Sequence, residues 1–325
     1  MVRNVAYAAI VFAITAISGL TQAGEAGDYP NHAVKISVPY GAGGGIDSIS
    51  RIVGQKLAEM WHQPVVIENR PGAGAIIGTQ AVVNAPPDGY TLLMTAGTLA
   101  VSPTAYSDLP YDVVKDLAPI TLVGSSPYIL AVRASLPAQN VQELINLAKE
   151  KPQALNFGSP GLGTLSHLGF ELLQFRTGTR STIIHYKGSP AALNALLAGQ
   201  IDMVLDTPAA LMPHIQGGKV RALAVTDARR SASLPDTPTI MQAGVPDYEV
   251  NIWFGLMAPG GTPPAVLDRI HADTVSALAD PDVRKRFEAQ GMEPQTLSRR
   301  QFADLINTDV KKWANVVRQA GIEFQ

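Results

Sequence analysis

Val34-Lys35-Ile36-Ser37-Val38-Pro39-Tyr40-Gly41-Ala42-Gly43-Gly44-Gly45-Ile46-Asp47 runs from an apolar strand, through a glycine-rich loop, into the start of a helix. The helix is expected from the apolar spacing Ile46, Ile49, Ile52, Val53 and Leu57. Glycine lets a backbone approach a ligand closely and adopt positive φ at little cost. A helix that begins after such a loop points unpaired N–H groups and the positive end of its dipole back at it, so the loop suits an anion. A strand-to-helix turn that needs glycine only for its geometry has the same sequence, and this stretch alone does not separate the two.

Phe157-Gly158-Ser159-Pro160-Gly161-Leu162-Gly163-Thr164-Leu165-Ser166-His167 repeats the plan, with Leu165, Leu168, Leu172 and Leu173 on the helix that follows. Two anion-ready loops far apart in one chain suggest two lobes, each presenting a helix N-terminus to a shared ligand. Outward from these loops, strand and helix alternate. Strands are expected at 34–39, 65–69, 90–96, 155–157, 182–186, 201–205 and 221–226. Helices are expected at 47–60, 74–84, 141–149, 191–198, 263–278, 281–289 and 298–320. This alternation predicts mostly parallel sheet with crossover helices. Ser189-Pro190 reads as an N-cap with proline at the first helical position, and Ser298 with Gln301 reads as a capping box.

Two apolar runs, 120–123 and 128–132, are separated by Gly124-Ser125-Ser126-Pro127, and the run 248–257 is extended and apolar. These segments read as paired crossings between lobes. The expected organisation is a discontinuous first lobe (28–127 with 248–325) and an inserted second lobe (128–247), hinged to close around a ligand.

Composition narrows the function classes. The chain has 325 residues, 46% of them hydrophobic and 16% charged, enough for a large core. It carries 25 Lys and Arg against 27 Asp and Glu, a net charge of −2, so no broad basic field is available for nucleic acid. Cysteine is absent, which removes disulfides, thiol nucleophiles and cysteine metal sites together. Arg3, an apolar run over 5–20 and a small residue at Ala23 form the pattern of a secretory signal peptide spanning 1–23, with Ala26 a second cleavage candidate.

The combined motifs resemble the Bug/TctC family, periplasmic receptors of tripartite tricarboxylate transporters. The resemblance rests on 38–47, on Gly161-Leu162-Gly163-Thr164 with His167, and on 66–74 (Val-Ile-Glu-Asn-Arg-Pro-Gly-Ala-Gly). It also rests on Pro87-Asp88-Gly89-Tyr90-Thr91-Leu92, on Tyr186-Lys187-Gly188 and on Ala198-Gly199-Gln200-Ile201-Asp202, and it covers almost all of the expected mature chain. It implies an α/β, two-lobed type II periplasmic binding protein, a Venus-flytrap. It also implies a monomeric receptor that delivers a small organic carboxylate to membrane permease subunits. Two positions depart from the family pattern: Ala42 where proline is common, and Ile46 where threonine is common, so no side-chain hydroxyl is carried over there.

Ligand contacts are expected from Tyr40, Gly41, Ala42, Gly43, Gly44, Gly45 and Asp47 in the first loop, and from Ser159, Gly161, Gly163, Thr164 and His167 in the second. Thr98, Ser126 and Asp206, after other strands, would read the rest of the ligand. Asp47 also reads as an N-cap, Asp206 as a loop cap, and His167 as a brace for its loop. Gly72-x-Gly74-x-x-x-Gly78 lacks dinucleotide-binding spacing and reads as a packing turn, so no cofactor is expected. None of the six histidines has a second ligand at helical spacing, so no metal site is expected. Two rivals remain open: a ligand-sensing partner of a membrane kinase, and a secreted hydrolase or lyase on the same scaffold. The second needs a nucleophile and base, and Ser166-His167, adjacent on a helix, are poor partners.

Overall fold

A computed structural model describes residues 28–231 and 233–324. The expected leader at 1–23 lies outside the described residues. Among the described residues no helix is long and apolar enough to cross a membrane.

β1 (Val34–Val38) leads into α1 (Gly45–Trp61). β2 (Val65–Asn69) leads through a 3-10 turn (Ala73–Ala75) into α2 (Ile76–Val83). β3 (Thr91–Ala96) leads through a second 3-10 turn (Gly97–Ala100) into the single-turn α3 (Ser102–Ala105). β4 (Leu117–Pro127) passes directly to β5 (Ile129–Arg133). Then come α4 (Val141–Glu150), β6 (Asn156–Ser159), α5 (Leu165–Thr177), β7 (Thr182–His185), α6 (Ser189–Leu197), β8 (Met203–Asp206), α7 (Pro208–Gln216) and β9 (Val220–Val225). β10 (Asn251–Pro259), α8 (Pro264–Ala279), α9 (Pro281–Glu288), the two-residue β11 (Glu293–Pro294) and α10 (Arg299–Ala320) complete the order.

The strands form two mixed sheets, ordered β11-β4-β10-β3-β1-β2 and β7-β6-β8-β5-β9. The βα units supply the parallel pairs, β1 with β2 and β3, and β6 with β7 and β8. The strands that carry the chain between sheets run the other way. β10 is antiparallel to β3 and β4, and β5 is antiparallel to β8 and β9. The sheets are therefore less parallel than strand–helix alternation alone predicts, because a chain that enters and leaves an inserted unit must reverse direction.

The expected break at 124–127 is also absent. Gly124, Ser125, Ser126 and Pro127 belong to the 11-residue β4 and pair with Asn251 to Phe254 of β10. Glycine is required there by packing rather than by a turn. A Cβ on Gly124 would lie 3.0 Å from the Glu293 carbonyl and 3.1 Å from the Phe287 ring.

The expected helix at 74–84 begins only at Ile76, α7 was not expected, and two N-caps differ from the sequence reading. The Ser298–Gln301 capping box forms as expected. At α6 the N-cap is Gly188, at φ 94°, and Ser189 is the first helical residue. Its hydroxyl turns away from the helix terminus and donates to Asp206. At α1 the N-cap is Gly44, which places Asp47 third in the helix rather than at its cap.

A single buried apolar cluster crosses both sheets: Leu93 and Leu122 from the first, Leu130 and Phe157 from the second. α10 carries much of this continuity. Its buried Phe302, Ile306, Asp309, Trp313 and Val317 form one helical stripe. Near its start, Phe302 lies edge-on to Trp253 of β10, with ring centroids 5.5 Å apart. Farther along, the helix packs against α5 of the five-stranded unit.

Candidate functional site

The loops that lead into α1 and α5 follow strands of different sheets, and both line one cavity. In the first loop, the Gly43 N–H donates to Asp47 Oδ2 at 2.8 Å. Asp47 also accepts from Arg51 at 2.9 and 3.1 Å and from Asn69 at 3.0 Å. Burial pushes the Asp47 carboxyl upward, but the bonds from Arg51, Gly43 and Asn69 outweigh it and hold it below the usual carboxylate range. Asp47 therefore fixes the loop. Among the described residues, the N–H groups of Gly44, Gly45 and Ile46 take no hydrogen bond, as expected for a first helical turn. Gly41 to Gly45 are all exposed.

The second loop is bound to itself in the same way. Ser159 and Gly161 exchange hydrogen bonds at 2.8 and 3.1 Å. The Thr164 hydroxyl donates to the Gly161 carbonyl at 2.8 Å and accepts from the His167 N–H at 3.3 Å. The Gly163 N–H donates to His167 Nδ1 at 3.1 Å, which requires a neutral ring with its proton on Nε2. His167 is buried, with the His185 ring edge-on at 4.7 Å. Burial and then the neighbouring His185 push its pKa down to about 4. The donors expected at Gly43, Gly161 and Gly163 are thus committed within their loops. Among the described residues, the N–H groups of Gly41, Ala42, Gly44, Gly45, Ile46 and Asp47 in the first loop and of Leu162, Leu165 and Ser166 in the second remain uncommitted.

A cavity of about 340 Å³ opens between these loops. Tyr40, Gly41, Thr98, Gly163 and Thr164 line it, and the Tyr40 hydroxyl and Thr98 Oγ1 are 2.5 Å apart. Ala42, Gly43, Gly44 and Gly45 are the exposed continuation of the first loop. Ser159, His167 and Ser126 lie off the wall, and Ser126 donates to the Gly291 carbonyl at 3.1 Å. Asp206 is also buried off the wall. It accepts from Ser189 and, at 2.8 Å, from the Thr207 N–H, while burial raises its pKa.

Sequence reasoning missed three wall elements. Tyr106 carries its hydroxyl over Gly74, which has no side chain to block it. Phe324 packs on Gly163, where a Cβ would meet its ring at 2.8 Å. Ala75, at φ 80°, is a left-handed alanine beside Gly74. Such strain costs on the order of 1–3 kcal/mol and gathers at ligand sites. The Gly72-Ala73-Gly74 turn was visible in the sequence; its neighbours on the wall had no periodic or motif signal.

Residues 49–322 match the family described as the tripartite tricarboxylate transporter family receptor. The chain belongs to that family. Its structure is similar to that of the periplasmic binding protein BugD, with 33% identity and TM-score 0.77 over 91% of this chain and 100% of that one. It is also similar to R. palustris Rpa4515 with adipate, at 32% identity and TM-score 0.80 over 91% and 99%. MatC from Rhodopseudomonas palustris with bound malate matches at 30% identity and TM-score 0.76 over 89% and 100%. The resemblance read from the loop motifs and the two-lobed α/β fold are both established by these matches. The family is one of solute-binding receptors. Within the fold, Ser166 Oγ donates to the Leu205 carbonyl at 2.7 Å and His167 Nδ1 accepts from Gly163, so the two are not paired as nucleophile and base.

Proposed function

We propose that this receptor works in the periplasm and captures a small organic carboxylate between its lobes, for delivery to the membrane permease of a tripartite transporter. The lobes divide at 127/128 and 247/248, residues 1–23 direct export, and the receptor acts as a monomer. The observation that carries this reading is the pair of glycine loops, one from each sheet and each leading into a helix, that line one cavity and hold uncommitted N–H groups. Backbone donors and helix dipoles stabilise a carboxylate without a charged side chain. Adipate and malate in two related structures support the ligand class, and the family description supports the permease.

Gly44→Val tests the cradle. Gly44 has φ −80° and ψ 170°, and the nearest atom to an added Cβ is 3.9 Å away, so the variant should fold normally. A charge-assisted hydrogen bond contributes roughly 1.5–3 kcal/mol. Losing one or two through blocked approach should weaken carboxylate binding about 10- to 1,000-fold, with the ligand-free melting temperature unchanged. Calorimetry reads the first and a thermal melt the second. Unchanged affinity removes the first loop from the site.

A further inference from the structure

We infer that the interlobe cavity selects a monocarboxylate with a compact apolar body, of about the size of one ring, and that Phe324 sets this preference. The inference rests on the carboxylate reading above and narrows it. Among the described residues, no charged side chain lines the cavity. Its wall is formed by Pro39, Val101, Leu162 and Phe324, with the rings of Tyr40 and Tyr106. Four hydroxyls on that wall are committed, Tyr40 and Thr98 to each other, Thr164 to Gly161, and Ser102 to the Thr98 carbonyl at 3.3 Å; that of Tyr106 has no partner among the described residues. A second carboxylate entering here would lose its hydration and meet no cation, which is unfavourable in an apolar site. An apolar ring would replace water on three aromatic faces. At about 340 Å³ the space is at the small end of ligand pockets, which run from roughly 300 to 1,000 Å³.

Phe324 is the wall residue best placed to set specificity. It is half-buried, follows the end of α10, and rests on Gly163 of the second loop, so it joins the six-stranded unit's last helix to the ligand loop of the other unit. Gly163 at φ 73° leaves room for that ring.

Calorimetry on ligand-stripped protein with benzoate, cyclohexanecarboxylate, malate and adipate tests the inference. Benzoate and cyclohexanecarboxylate should bind at least about 10-fold more tightly than malate or adipate, consistent with the roughly 10- to 200-fold discrimination of apolar pockets. Phe324→Ala should weaken benzoate about 10-fold and leave malate nearly unchanged. Phe324→Arg should shift the preference toward adipate. Tighter binding of malate or adipate by the native protein overturns the inference while leaving the carboxylate reading intact. Benzoate affinity unmoved in both Phe324 variants removes Phe324 from it. Binding of none of the four, with the ligand-free fold intact by circular dichroism, overturns both readings.

Discussion

His167 shows how one side chain ties loop geometry to pH. Its Nδ1 accepts the Gly163 N–H only while the ring is neutral, and burial keeps it neutral down to about pH 4. An unfolded histidine takes up its proton near pH 6.5. Above that pH both states are neutral and His167 costs nothing. Between about 6.5 and 4 the unfolded chain gains a proton that the fold refuses, so stability falls, by on the order of 3 kcal/mol at the lower limit. Glu171, Asp206 and Asp309 have pKa values raised by burial and act with the opposite sign, gaining stability as pH falls. The informative quantity is therefore the difference between the native protein and His167→Gln, measured as melting temperature from pH 7 to 4. The variant should lose less on acidification; parallel curves would mean His167 is not the titrating group. The bracing role of this histidine was legible from its place three residues after Thr164. Phe324 was not, because a lone aromatic beyond the last helix has no spacing that distinguishes a wall residue from a surface one.

At the scale of elements, the packing of α10 on β10 is set by Gly255 and Phe302. A Cβ on Gly255 would overlap the Phe302 ring, which is fully buried. Gly255→Ala should therefore destabilise by roughly 1–3 kcal/mol through overpacking. In a Phe302→Leu background the same change should cost clearly less, since the two positions share one space. Chemical denaturation of the four proteins measures the difference, and simple additivity would sink this account of the contact. The helices and parallel strands were readable from periodicity: β2 has the expected limits of 65–69, and α10 starts at the capping box. The antiparallel crossing strands were not readable in full. Gly124 to Pro127 has the composition of a turn, and only pairing with β10 and β11, from far along the chain, makes it a strand.

For the whole molecule, the apolar cluster shared by both sheets predicts one cooperative unfolding transition, with fluorescence and circular dichroism changing together in urea. Two separated transitions would mean that the lobes are energetically independent. The two-lobed plan was legible because each loop–helix unit appears twice; the line of closure was not, since it depends on α10 meeting α5. The sheet order has a consequence for the sequence of events during synthesis. β10, the third strand in spatial order, lies between β3 and β4 yet spans Asn251–Pro259, so the first sheet has a gap at its centre until Pro259 has left the ribosome. The five-stranded sheet is complete by Val225. Closing that gap across so long a sequence separation is intrinsically slow. In pulse-labelled hydrogen exchange during refolding, amides of β5 to β9 should gain protection before those of β3 and β4, leaving a newborn chain with one sheet formed and the other held open for its late strand.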